Sequence, residues 1–600
     1  MDFNFETTTI NGGILKMMQD KNRNVTIDAV YKRFDETGRI KTMNTEIDTD
    51  IQPHIYWGSD VFKWIEGASY VIAKHPDKNL EKLIENIIDD IEKCQRDDGY
   101  YNSYYNRKKE QKIFSIRNNH ELYSAGHMIE SAVAHYYATN KERYLDMAKK
   151  QADCIYKVFV EDKSADFVTG GHEEIELALI RLYRLTKEDK YLELARFFIN
   201  QRGNNSIDEP IMEKFNSRYD QSELPVRNLE KAEGHSVRAM YLYTAMAYLA
   251  KEDNDSELKD VCSKLFHNIV NKKMYITGGI GSSRHGEAFT EEYDLPSSRA
   301  YAETCAAIGL MLFCQAMNEL SPNGMYADTC ERAMYNGMFS GLSLEGDAFF
   351  YENPLEINLI DRCKHTSLKD PEVFSITQRK KVFSCSCCPP NINRIYSSFE
   401  RFLYQKTDGI YYINHFADSE YKDGNVKIIQ KTNYPSEGKI ELVFENVDEC
   451  ALRIPGWCDE FCIDAEYCIR DGYAYIRNPH KVSVNFVMKP KIYSANSNVI
   501  ELAGKCALMY GPVVYCAEQI DNKEKISSIY LSKNPDAEVS YCDKCMMNKL
   551  SVNGYVINSS DDLYREINED TKKVRVNLVP YYTFANRGET DMRVWFLRDI

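Results

Sequence analysis

Three thiols fall within four residues in the segment Ser384-Cys385-Ser386-Cys387-Cys388-Pro389-Pro390. Pro389 disfavours helical backbone at Cys388, whereas 391–405 has helical spacing and tolerates the prolines in its first turn. Cys387 and Cys388 are therefore expected in a loop that feeds a helix N-terminus, where the positive end of the helix dipole favours thiolate over thiol. A disulfide between neighbouring cysteines would be strained, and one from Cys385 to Cys387 little better. Three uses remain: nucleophilic attack, metal ligation, or packing as small buried side chains.

A metal site needs more donors. Glu303 and Cys305 stand two apart at the entry to a helix expected over 306–313. Ligands two apart cannot share one face of a regular helix, but at an extended or frayed entry they can. Together with Cys387 and Cys388 they would form a set of three sulfurs and one carboxylate, which suits tetrahedral zinc. The competing pair, Cys542 and Cys545, lies in a strand-rich region without a second pair, so its spacing argues weakly for structural zinc.

The elements that must position these residues come in two textures. From about 79 to 405 apolar residues recur at three- and four-residue spacing, as in 79–94 and 172–185. The pieces 139–150 and 186–197 each turn on charged residues and re-enter a helix at a Tyr-Leu pair, Tyr144-Leu145 and Tyr191-Leu192. With further restarts at Leu80, Leu258 and Tyr326, the intervals are about 65 residues, too long for short helical repeats and suited to a helix pair plus a functional loop. Several such pairs suggest an α/α barrel with a site built from the loops at one end. After about 411 short alternating segments take over, at 426–432, 439–447, 473–478 and 481–489, with a further strand-rich stretch from 507 to 597. The expectation is an α + β multidomain chain: a catalytic helical unit over 1–410, a β-sandwich over 411–505 with 580–600 as candidate strands to complete it, and a second β-sandwich over 506–580.

Composition narrows the partners. The chain has 600 residues and a net charge of −16, with no basic block able to neutralise a phosphate backbone, so nucleic acid is excluded as a natural partner. No apolar run approaches the length of a membrane span, and the N-terminus carries no charged region followed by an apolar one. A cytoplasmic, reducing setting is expected, in which the 18 cysteines stay available as thiols.

The sequence resembles glycoside hydrolase family 127 over essentially its whole length. The resemblance is carried by HELYSAGHMIE (120–130), GGHEEIELAL (170–179), EGHSVRAMY (233–241), GEAFTEEYDLP (286–296), YAETCAAIG (301–309), ERAMYNGMFSGLS (331–343), FFYENPLE (349–356) and CSCCPPN (385–391). It implies an α/α six-hairpin barrel followed by β-sandwich domains. It also implies a retaining hydrolase that releases terminal β-L-arabinofuranose from small oligosaccharides, and it makes a homodimer an unsurprising assembly. Position by position, Glu303, Cys305, Cys387 and Cys388 match zinc ligands, Cys387 also matches the nucleophile, and Glu287 matches the general acid/base. His127, His172, His235, Glu331 and Tyr351 match sugar contacts, with His120 the alternative to His127. On this reading a zinc-held thiolate replaces one of the two carboxylates of an ordinary retaining glycosidase, and burial raises the pKa of Glu287 so that it can act first as an acid. Two other readings stand beside it. One is an α/α-barrel glycosidase that pairs Glu287 with Glu291, Glu292 or Asp294; the other is a non-catalytic carbohydrate-binding protein using aromatic platforms.

Overall fold

The structure is a computed structural model that describes residues 5–108, 110–363, 367, 374–557, 562–564, 566 and 571–598. Its first 400 residues are mainly helical and the rest mainly strand, as the change in periodicity predicts.

Six helices are buried round most of their circumference: Trp57–Lys74, Glu121–Thr139, Ile175–Thr186, Ser236–Glu252, Thr304–Leu320 and Cys388–Tyr396. Each packs on the next, and the last packs back on the first. The helices between them, such as Lys78–Cys94 and Glu142–Tyr156, bury a single stripe, so they form an outer layer. Lys78–Cys94 shows how locally this is encoded. The Asp77 side chain caps it by accepting from the amides of Asn79 and Leu80, and Ile84, Ile87, Ile88 and Ile91 supply the inward face.

Glycines set how closely the inner helices approach. A Cβ on Gly67 would lie 2.8 Å from the backbone nitrogen of Arg394, and one on Gly126 would lie 2.7 Å from Cγ of Glu174. Between the helices sits a buried charge network. Arg394 reaches Glu66 and Glu130, each at 3.1 Å, and Arg181 reaches Glu130 at 2.5 Å and Glu66 at 3.4 Å. Burial pushes the Glu66 carboxyl up, but the two guanidiniums outweigh it and hold the group below its ordinary value. Each buried charge thus has more than one partner of opposite sign, which offsets the cost of removing it from water.

The strands form three sheets. Two of them meet, with the Tyr404 and Ser419 hydroxyls hydrogen-bonded between them at 2.8 Å. One orders Thr8–Ile10, Ser419–Asp423, Val426–Thr432, Lys439–Glu445, Lys481–Phe486 and Phe461–Ile463; the other orders Cys468–Arg470, Tyr473–Arg477, Glu449–Arg453, Ile410–Ile413 and Tyr404–Thr407. Val426, Ile428 and Gln430 are buried while Lys427 and Ile429 are half-buried and Lys431 is exposed, the period-two pattern of a strand with one covered face. Thr8–Ile10 pairs antiparallel with Ser419–Asp423 in the register Thr8 to Tyr421, so the first strand of the chain borders a sheet made about 400 residues later. The third sheet runs from Pro490–Tyr493 through the C-terminal strands and takes in Glu356–Ile357 from the helical part. Phe596–Arg598 pairs with Lys505–Tyr510 and Ile529–Leu531 in this third sheet, not with the strands of 404–486 for which 580–600 were candidates. Hydrogen bonding at a sheet edge is non-local, and strand periodicity alone does not choose between two edges. Among the described residues no helix is long and apolar enough to cross a membrane.

Candidate active site

Two helix starts face each other at one end of the helical part. Glu303 is the N-cap residue of Thr304–Leu320 and has extended backbone, with its side chain making no cap bond. Its carboxylate is therefore free to turn toward the sulfurs. The Thr304 amide donates to the Tyr351 carbonyl at 3.0 Å and its hydroxyl donates to the Phe350 carbonyl at 2.9 Å, which fixes this helix start beside Tyr351. Opposite, Cys387 caps Cys388–Tyr396, whose first turn holds both prolines. Cys388 is thus the first helical residue and not, as expected, outside the helix; the first turn has no earlier residues for the proline rings to clash with.

Four donors converge here. The Sγ atom of Cys305 lies 3.2 Å from that of Cys388 and 3.6 Å from that of Cys387, and the last two are 3.8 Å apart. Oε1 of Glu303 is 3.4 Å from the Cys387 sulfur and 3.5 Å from the Cys388 sulfur. Thiolates around tetrahedral zinc at about 2.3 Å are about 3.8 Å from one another, so the spacing suits such an ion. Glu303 also keeps a buried Oε2 with no hydrogen-bond partner. Electrostatics agree, because the four groups cannot all ionise side by side. Burial and the neighbouring Cys387 charge push Glu303 well up, burial and the thiol contacts push Cys388 well up, and Cys305 is drawn down to about 6 by thiol hydrogen bonds that outweigh its burial. A divalent cation would relieve that conflict. The group can hold a metal ion.

Glu287 stands next to this cluster, its carboxylate within 4.8 Å of both His235 and Glu303. It occupies a turn with positive φ of 53°, after Gly286 at 72°, a conformation that costs a non-glycine residue about 1–2 kcal/mol. The Ser236 hydroxyl holds the Glu287 carbonyl at 3.0 Å. Nδ1 of His235 caps Ser236–Glu252 by accepting the amides of Val237 and Arg238, so its proton belongs on Nε2, which donates to Glu287 Oε2 at 2.8 Å. The Tyr301 hydroxyl donates to Oε1 at 2.6 Å. Burial raises the Glu287 carboxyl, yet these two hydrogen bonds and the nearby Arg238 outweigh it, and the group is held below its ordinary value. The carboxyl is thus lowered where a rise was expected, because donors count for more than burial when both oxygens are bonded.

These groups line one cavity of roughly 470 Å³, within the usual range for small-molecule sites. His172, His235, Glu287, Glu303, Cys305, Tyr351 and Cys387 all border it, and the fully buried Cys388 does not, though its sulfur meets that of Cys305. The Cys387 thiol donates to the Tyr351 hydroxyl at 3.0 Å. His127 does not border the cavity: it is fully buried, with Nδ1 3.0 Å from Glu174, and His120 borders the cavity instead. Glu331 also does not border the cavity: it is buried and accepts from Arg453 at 2.6 Å and from the Tyr434 hydroxyl at 2.7 Å. Of the alternative carboxylates, Glu291, Glu292 and Asp294 do not line the cavity, and Glu292 is held by Lys272 and Asn268.

Asp60, Lys63 and Tyr123 are among the wall residues that escaped sequence reasoning. Burial opposes a charged Lys63, but Tyr241, Cys387, Cys305 and Asp60 hold it protonated above its ordinary value, with Nζ donating to Tyr123 at 2.5 Å. A signal was available, since Asp60, Lys63 and Glu66 form a charged stripe at three-residue spacing on an otherwise apolar helix.

Comparison with known proteins adds a second kind of observation. The family model described as "Beta-L-arabinofuranosidase, GH127 catalytic domain" matches residues 8–401, and the "Glycoside hydrolase family 127 C-terminal domain" matches 490–597. The chain is 33% identical to a non-reducing end β-L-arabinofuranosidase of Bifidobacterium longum subsp. longum, over 93% of this chain and 91% of the relative. Among solved structures it is similar to a GH127 β-L-arabinofuranosidase from Geobacillus stearothermophilus T6, with a TM-score of 0.93 and 36% identity over 99% of this chain and 100% of the other. It is similar also to another GH127 β-arabinofuranosidase, with a TM-score of 0.89 and 33% identity over 100% of this chain and 97% of that one.

Proposed function

This chain belongs to glycoside hydrolase family 127, and from that premise we propose that it is a retaining exo-hydrolase releasing terminal β-L-arabinofuranose from short oligosaccharides, with Cys387 as nucleophile and Glu287 as acid/base. We read the closed succession of inner helices as an α/α six-hairpin barrel whose loops build the site. The observation that carries the reading is the meeting of Glu303, Cys305, Cys387 and Cys388 with Glu287 at one cavity.

Glu303, Cys305, Cys387 and Cys388 would hold a zinc ion, which when bound keeps the thiols deprotonated without a general base. Sγ of Cys387 attacks the anomeric carbon and forms a thioglycosyl bond while Glu287 gives its proton to the departing oxygen. Glu287, now a carboxylate, takes a proton from water, which attacks the same carbon and restores the thiolate. His120, His172 and His235 border the space that the sugar would fill, and Tyr351 aligns the Cys387 sulfur through its hydroxyl. A panel of nitrophenyl glycosides tests the substrate class: the β-L-arabinofuranoside should be cleaved with the highest kcat/KM, and preference for another glycone would overturn that assignment.

Two further outcomes are expected. Elemental analysis should find about one zinc per chain, and a strong chelator should lower both activity and the melting temperature, because the ion would join two segments 82 residues apart (305 to 387). Fully active protein without a transition metal would sink this part. The second outcome concerns pH. Because hydrogen bonds depress the Glu287 pKa, protonated acid becomes scarce as pH rises, so kcat/KM falls toward alkaline pH. Replacing His235 by Phe removes one donor and lets that pKa rise, so the falling limb should shift to higher pH even as kcat/KM itself drops. A limb that stays in place would remove His235 from control of the acid.

A further inference from the structure

The loop that presents Cys387 is braced by a residue from far earlier in the chain. Arg39, 2% exposed, lies between this loop and the helix Trp57–Lys74. Its Nη2 donates to the Ser384 carbonyl at 2.9 Å and to the Phe383 carbonyl at 3.3 Å. Its Nε donates to Asp60 Oδ2 at 3.2 Å, and its Nη1 donates to the Thr37 hydroxyl at 2.8 Å. The guanidinium sits over Trp57, 4.7 Å from the ring centroid. Every arm of the fork is therefore engaged, and the whole is anchored on the cavity-wall residue Asp60.

Residues 383 and 384 lead directly into Cys385 and Cys387. The bond from the Phe383 amide to Ser386 Oγ, 3.3 Å, is internal to the loop and does not locate it in the protein. Phe383 also meets the Tyr351 ring at 5.5 Å, an apolar contact that tolerates sliding more readily than a hydrogen-bonded fork. We infer that Arg39 is a positioning residue for the nucleophile, fixing the loop backbone so that Cys387 Sγ stays in reach of Glu303, Cys305 and a bound sugar. The inference rests on the reading of Cys387 as nucleophile and ligand. A guanidinium can bond two carbonyls and a carboxylate at once through a rigid plane; an ammonium on a flexible stem cannot. Loss of the fork leaves the residues of the site in place but frees the loop to shift, and displacements of about 1 Å can cost about 10²-fold in rate.

The test is Arg39→Lys in the full-length protein. This variant keeps a cation beside Asp60 and over Trp57, so it preserves folding better than Arg39→Ala. Expected are a kcat about 10–100-fold lower on the nitrophenyl arabinofuranoside with KM within about threefold, and zinc transfer to a chromophoric chelator about tenfold faster. In Arg39→Ala, added guanidinium should recover part of the lost kcat, which a general packing defect would not allow. Rates of turnover and of zinc release within about twofold of the parent in folded Arg39→Lys would overturn the inference. Alkylation of Cys387 by iodoacetamide in the protein as isolated, followed by peptide mass, judges the same point without metal or turnover. It should be about fivefold or more faster in the variant, and an unchanged rate counts against Arg39 even if zinc or arabinofuranose proves to be the wrong reading.

Discussion

Cys387→Ser should lower turnover of a β-L-arabinofuranoside by on the order of 10⁴-fold or more, whereas Cys385→Ser should keep most of it. The two thiols are two residues apart on one loop and both border the cavity, so the pair of variants separates chemistry from loop integrity. Cys385 lies 3.6 Å from the Tyr351 hydroxyl but stands outside the four-donor group. The hydrogen bond with Cys387, burial and the Cys387 charge together push the Cys385 thiol well up, which leaves it a poor nucleophile at neutral pH. Serine at 387 would keep the size of the side chain but neither ligate a soft ion as well nor attack as a thiolate. An arabinofuranose-configured electrophile should leave its label on the peptide containing Cys387. A label on Glu291, Glu292 or Asp294 would return the argument to a pair of carboxylates.

Glu287→Gln should slow hydrolysis of an arabinooligosaccharide by roughly 10²–10⁴, the range for loss of a general acid/base. A nitrophenyl glycoside departs without much protonation, so its first step should survive and the thioglycosyl form should accumulate. Stopped-flow absorbance would then show a burst of nitrophenol and a slow second phase that azide speeds by replacing water. Metal content should not change, since Glu287 is not among the four donors. Equal loss on both substrates, with no burst and no azide effect in a folded variant that keeps its metal, would take the acid/base role away from Glu287.

What the sequence disclosed follows the range of the interactions involved. The order of helical and strand regions was legible because periods of 3.6 and 2 are written locally. The residue types of the donor set suit a metal, but joining Glu303 and Cys305 to Cys387 and Cys388 across more than 80 residues rested on the family resemblance, because no local pattern records that contact. His120 and His127 could not be separated, since a spacing of seven residues would put both on one face of a helix that began before His120. Only the helix start decides: Glu121–Thr139 begins just after His120, which leaves His120 at the mouth and His127 roughly 10 Å deeper along the axis. Glu331 misled for a different reason, because its partner Arg453 comes from a sheet formed much later in the chain. The protonation tendency of Glu287 was also out of reach. It depends on His235 and Tyr301 bonding both of its oxygens, and no local pattern records that.

The pairing of Thr8–Ile10 with Ser419–Asp423 carries a consequence for synthesis. Strand Thr8–Ile10 leaves the ribosome about 400 residues ahead of its partner, and at 5–20 residues per second it waits roughly 20–80 s with its edge unpaired. The helical unit can gather during that time and hold the segment through Lys74, which donates to the Thr8 carbonyl at 2.7 Å, while the sheet edge of the strand stays unpaired until residues 419–423 emerge. A ribosome stalled near residue 405 would therefore hold a chain with all four candidate metal donors made, its N-terminal segment resting on the helix Trp57–Lys74 and the sheet edge of its first strand still unpaired.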